Sequence, residues 1–165
     1  YRVNEIIGAI MRVQLKRLDG ILEDLRKTKK IFIDELAGIS NITFTRSNDP
    51  DGDCGTTLGF SFPDEEKARK FATSEGVEGW LPIDSGKHVY VNWDPILNKR
   101  GAHHPALNPY LLPQNKNLNM NYSKSMCQKT LDLLSKNVFI SLGADWPEDV
   151  ISKRIECCRK AALSL

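Results

Sequence analysis

The 165 residues suit one domain of ordinary size, long enough to bury a core without disulfide staples. Lys and Arg number 23 against 21 acidic residues, a formal net charge of +2, which is too balanced to imply a nucleic-acid surface. With 41% apolar and 27% charged residues the composition is globular rather than disordered, and no apolar run approaches the ~20 residues of a membrane-spanning helix.

The opening Tyr1-Arg-Val-Asn-Glu5 lacks the basic-then-apolar pattern of a signal peptide. An amphipathic pattern is under way within a few residues, so the chain reads as a piece of something longer. Ile7, Met11, Leu15, Leu18, Leu22 and Leu25 recur at spacings of three and four. Lys29 interrupts this stripe, and Phe32 and Leu36 resume it. The spacing predicts one long helix over about 36 residues, ending near Gly38, which can take the left-handed conformation of a helix C-terminus. The dense basic stretch Arg26-Lys-Thr-Lys-Lys30 then lies on a solvated face of that helix.

Short strands follow. Ile42-Thr-Phe-Thr45 is β-branched and aromatic, and Thr56 to Phe62 alternates well enough to pair with it as an antiparallel hairpin across the turn signal Asn48-Asp-Pro-Asp-Gly52. Pro63-Asp-Glu-Glu66 opens a helix with acids in its first turn, Ala68, Phe71 and Ala72 facing inward, and Gly76 as its stop. Gly79 to Ile83 is a third expected strand. Residues 84–122 hold four prolines, three histidines and many asparagines, with one short helix between Trp93 and Arg100. So long an irregular stretch is usually functional or a lid. A helix beginning at Ser123 as N-cap, a buried strand at Val138 to Leu142 and a helix opened by Asp145-Trp-Pro-Glu148 close the chain. In that helix Ile151, Ile155, Cys158 and Ala162 form the apolar stripe. The order predicts an α+β fold: a linking helix over 1–38, then a small domain over 39–165 whose largely antiparallel sheet has helices on one face.

Several chemistries fail on spacing. Asp49, Asp51 and Asp53 alternate as in a calcium loop. Counted from Asp49, however, position 6 is Cys54 and position 12 is Phe60, so an acidic turn is expected instead. Ser85-Gly-Lys-His88 lacks the upstream glycine and the following hydroxyl of a phosphate loop. Lys87 could form a Schiff base, yet nothing beside it argues for a lowered pKa, and an exposed lysine is the common case. Cys54, Cys127, Cys157 and Cys158 form no CxxC pair, so free thiols in a reducing cytoplasm are expected rather than a zinc site. His88, His103 and His104 all fall in the irregular stretch. Their spacing matches no metal motif, and hydrogen bonding to a polar ligand is the alternative.

The first helix carries a resemblance. The segment from Tyr1 to Asp19, with Tyr1, Arg2, Glu5, Ala9, Gln14, Leu15, Leu18 and Asp19 as matches, resembles the Asn-Tyr-Arg-Met-Ser-Glu segment of the DegT/StrS sugar aminotransferases. These are pyridoxal-phosphate enzymes of the aspartate aminotransferase fold. The rear half, Thr130 to Ser135, Val138 to Ser141 and Asp145 to Glu148, is similar to the family's closing strand-and-helix unit. His88 to Trp93 and Arg100 to Pro105 resemble the branch that aminates C8 of 3-deoxy-octulosonate.

The resemblance implies the C-terminal small domain of a cytoplasmic homodimer with shared active sites. Its Schiff-base lysine and the other groups holding pyridoxal phosphate would lie upstream of Tyr1. Amino transfer from glutamate or glutamine to a keto or aldehyde sugar is the implied reaction. Arg2 would reach the cofactor phosphate of the partner subunit, and a guanidinium suits that two-point grip. His88, Asn92, His103 and His104 would face the sugar. Two other readings stand beside this one: a non-catalytic ligand-binding or dimerisation module, and a sugar dehydratase of the same fold.

Overall fold

The computed structural model describes residues 3–165. The chain is an α+β fold with a small antiparallel sheet. Helix α1 (Glu5–Leu15) starts at Asn4, whose side chain accepts a hydrogen bond from the Ile7 amide at 2.9 Å, and it carries Glu5 in its first turn and Arg12 in its last. Helix α2 runs Leu18–Leu36. The expected single helix is therefore two. At Lys16 and Arg17 the backbone stays near the helical region (φ −67° and −96°), while the Arg17 amide bonds to Gln14 O at 2.9 Å, a tightened last turn. No Gly, Pro or capping residue marks this loosening in the sequence. Its physical correlate is burial: no residue of α1 is buried, whereas Leu25, Thr28, Phe32 and Leu36 of α2 are. Thr28, not a break at Lys29, fills the gap in the stripe. Gly38, at φ 76°, follows α2 as the spacing predicts.

Strand β1 (Thr57–Ser61) pairs antiparallel with β2 (Asn137–Ser141), in the register Thr57 to Ser141 through Ser61 to Asn137. Leu58, Phe60, Val138 and Ile140 thus share one face, and all four lie in the buried core with side chains of α2, α3 (Glu65–Thr73) and α6 (Glu148–Leu163). Burying each large apolar side chain is worth roughly 2–3 kcal/mol. The expected hairpin partner, residues 42–45, does lie against β1, through Thr45 N to Gly59 O at 2.9 Å and Ser61 N to Thr43 O at 2.7 Å. The pairing is one bridge long and not a strand. The expected strand at 79–83 likewise shrinks to one bridge, Trp80 to Phe139. Pro82 ends it, since it has no amide to donate and opens a 3-10 turn over Pro82–Asp84. Four backbone ribbons therefore lie side by side in the order 44, β1, β2, 80.

Helix α3 keeps its predicted design: the Asp64 side chain caps the Lys67 amide at 2.8 Å, and Ala68, Phe71 and Ala72 are buried. Helix α6 starts at Glu148, with Pro147 rather than Asp145 in the cap position and no side-chain cap. The expected buried stripe of α6 is present, and Ala161 joins it.

The 84–122 stretch is built from 3-10 turns and the short helix α4 (Asp94–Leu97). Its buried residues are Val89, 1% exposed, and Tyr90. The Tyr90 hydroxyl donates to Lys124 O at 2.7 Å and accepts from the Cys127 amide at 3.2 Å. Helix α5 consequently begins at Gln128, with Cys127 at its cap position, and not at Ser123; it runs Gln128–Lys136. Among the described residues no helix is long and apolar enough to cross a membrane.

Candidate functional site

Residues 86–100 fold back on themselves. Gly86, at φ 65°, makes a turn that a side chain would strain. The Asn92 side-chain amide then donates to Gly86 O and the Trp93 indole N–H donates to Lys87 O, both at 2.7 Å. These two bonds fix the Trp93 ring while 41% of the residue stays exposed. Asp94 opens α4, where its carboxylate favours the helix N-terminus. It accepts from Asn98 Nδ2 at 2.7 Å and from Arg100 Nη2 at 2.8 Å. Lys99, at φ 51°, ends the helix and turns Arg100 back towards Asp94.

The result is an open cleft of about 550 Å³, walled by Trp93, Pro95 and Ile96 and rimmed by Lys87, Asn92, Asp94 and Arg100. Each rim group has spare capacity. Asn92 Oδ1 is a free acceptor, the guanidinium has unused N–H groups, and the Lys87 ammonium has no partner among the described residues. A fixed aromatic face beside planar polar groups suits a ring with one C–H face and a hydroxyl edge. The unpaired ammonium adds affinity for a carboxylate on it.

Trp93 also borders a second, smaller cleft of about 330 Å³, shared with His88, Met126 and Cys127. His88 and Asn92, expected together, therefore lie in different clefts that both border Trp93. His103 and His104 line neither. His104 Nδ1 instead accepts from the Ala106 amide at 3.2 Å and caps the turn Pro105–Leu107, which spends the imidazole on local structure. His103 is exposed and makes no hydrogen bond to a described residue. Arg2 lies outside the described residues.

The sequence does not single out Trp93, Asp94 and Arg100 of this candidate cleft. The available signal was an aromatic directly before Asp-Pro, with an arginine six positions after the aspartate.

The other candidate chemistries are absorbed by structure. The Asp49 carboxylate accepts from the Gly52 amide at 3.0 Å, and Asp53 accepts from Gly55 N and Lys29 Nζ, each at 2.7 Å. The Lys29 hydrogen bond, helped by the Gly55 amide, holds the Asp53 carboxyl below the usual carboxylate range. No group of three or more His, Cys, Asp or Glu side chains among the described residues could hold a metal ion. Burial pushes the Cys158 thiol up to about 12, which makes it a poor nucleophile. No protein-family model matches this chain.

Proposed function

We propose that this chain is the C-terminal part of a pyridoxal-phosphate-dependent sugar aminotransferase, and that residues 86–100 form a wall facing the sugar. The amino group would pass from glutamate or glutamine to a keto or aldehyde sugar within a cytoplasmic homodimer. The observation that carries the reading is the Trp93 cleft, an aromatic face held by its own N–H and rimmed by Lys87, Asn92, Asp94 and Arg100. It falls in the segment whose sequence resembles the branch acting on an acidic sugar, and its unpaired ammonium suits such a substrate. In this reading Trp93 stacks on the sugar ring, Asn92 Oδ1 accepts from a hydroxyl, and Lys87 with Arg100 grips the carboxylate. His88 lines the adjoining cleft that Trp93 also borders. These residues bind and orient.

The described residues do not fit the cofactor itself. A cofactor phosphate needs a cradle and the Schiff base needs a sheltered amine. Lys87 is exposed on an open rim, and Arg2 is outside the described residues. In this reading the cofactor would be held by residues outside the described ones, where it would supply the electron sink that amino transfer requires.

The test is amino transfer by the full gene product, supplied with pyridoxal phosphate, isotope-labelled glutamate or glutamine, and a panel of keto and aldehyde sugars with and without a carboxylate. Label in an amino sugar is expected, with kcat/KM lowered at least about tenfold (~1.4 kcal/mol) by Trp93→Ala. Loss of water from the sugar without label transfer would replace the reading with a dehydratase.

The exposed apolar side chains of α1 favour a second reading, the interaction module without catalysis. A Schiff-base lysine domain upstream of Tyr1 in the gene product would remove it.

A further inference from the structure

A second exposed tryptophan stands in a setting like that of Trp93. Gly79 lies so close to α3 that an added Cβ would press on Ala72, and its amide bonds to Ala72 O at 3.2 Å. This approach carries Trp80 onto the flank of α3. One side of the Trp80 ring is backed by Phe139, with centroids 5.3 Å apart and planes at 29°. The residue remains 43% exposed and borders a cleft of about 360 Å³. The polar rim is ordered. Arg69 makes a two-point pair with Asp84, at 2.8 and 3.2 Å, and its Nε bonds to Glu65 at 2.8 Å. The Thr73 hydroxyl donates to Arg69 O and the Ser85 hydroxyl donates to Pro82 O, which leaves both oxygens free to accept, and both residues line the cleft.

Charge separates the two clefts. Arg69 is matched by two carboxylates, so this rim offers fixed donors and acceptors and no unpaired cation. Lys87 in the other cleft is unpaired among the described residues. The clefts are also neighbours in the chain: Ser85 lines one and Lys87 the other, so their near edges share backbone no more than about 7 Å long.

We propose that the Trp80 cleft is a second sugar-ring subsite that takes a neutral pyranose, with the ring's C–H face on Trp80 and its hydroxyls on Asp84, Arg69, Thr73 and Ser85. It rests on the reading above only in taking the ligand to be a saccharide. The substrate would then carry a neutral ring beyond the acidic sugar bound at Trp93. Aromatic backing and a rigid guanidinium–carboxylate pair spare the binding step the entropy of ordering these groups.

In a proton–nitrogen correlation spectrum of the full gene product, the Trp80 and Trp93 indole resonances are assigned by their loss in Trp80→Phe and Trp93→Phe. The probes are methyl glucoside, methyl galactoside, methyl mannoside and N-acetylglucosamine as neutral rings, and glucuronate as the acidic one. At least one neutral probe is expected to shift the Trp80 indole saturably. Asp84→Asn should weaken that binding at least about fivefold (~1 kcal/mol), as should Thr73→Phe, which fills the cleft from an exposed helix position. Glucuronate acting on Trp93 should be unaffected by either. If glucuronate shifts Trp93 while every neutral probe leaves Trp80 silent, the subsite is overturned and the Trp93 reading stands. A responsive Trp80 beside a silent Trp93 keeps the subsite and removes the Trp93 reading, and silence at both removes both. A Trp80 shift that persists unchanged in Asp84→Asn and Thr73→Phe also overturns the proposal.

Discussion

Helix α1 and the second half of α2 carry the same kind of apolar spacing and meet opposite fates. Ile6, Ile7, Ile10, Met11, Val13 and Leu15 of α1 are all exposed, whereas Phe32 and Leu36 of α2 are wholly buried. A period of three and four residues specifies a face, not what covers it. The difference lies in the neighbours: α2 rests against the core of β1, β2, α3 and α6, and among the described residues α1 has no such surface beside it.

The contrast can be broken most forcefully at Phe32. Phe32→Ala should cost about 3–5 kcal/mol, read from the midpoint of urea unfolding, because the ring is fully enclosed and the site cannot collapse around its loss. A loss below about 1 kcal/mol would mean that α2 is no better anchored than α1.

Gly55 is the next lever. At φ 75°, its added Cβ would sit 2.8 Å from the Leu25 carbonyl carbon of α2, a backbone atom that has no rotamer to yield. Gly55→Ala should therefore cost about 2 kcal/mol or more in the same measurement.

The Lys29–Asp53 pair ties α2 to the acidic turn from the polar side. Asp53→Asn should lower stability at neutral pH by about 1 kcal/mol. The folded-state pKa of Asp53 is depressed, so its contribution is present above the unfolded value near 3.8 and disappears as pH falls through the lower folded value. Unfolding curves of the two proteins should converge in that acid range. A gap that stays constant with pH would show that the pairing is not its source.

The smallest effect belongs to α1. Ile10→Ala should change monomer stability by no more than about 0.5 kcal/mol. Ile10→Glu should reduce self-association, seen as a lower apparent mass by light scattering at high protein concentration. A large stability loss from Ile10→Ala would sharpen the comparison the other way, by revealing packing on α1.

Much of the fold was legible because local rules governed it. Asp64 and the acids after it mark α3, the buried stripe marks α6, and Gly38 marks the end of α2. Features fixed at a distance were not legible. Tyr90 delays α5 from a position 34 residues before the Lys124 carbonyl it bonds. Strand β1 takes β2 as its full partner, while the nearby 42–45 segment makes a single bridge.

The same split runs through the site. Of the four residues the sequence singles out in the 84–122 stretch, Asn92 and His88 line two different clefts that Trp93 also borders, and His104 serves a local turn. Only the fold could show that an indole N–H bonded to Lys87 O would set the aromatic wall.

One phenolic oxygen joins the turn-rich stretch to the helical body. Tyr90 Oη holds the Lys124 carbonyl and the Cys127 amide at once, and Tyr90 lies only three positions before Trp93. Anything that displaces the 90–93 turn must tug on the first coil of α5. Deuterium uptake at the Cys127 amide thus becomes a remote gauge of whatever settles against the indole.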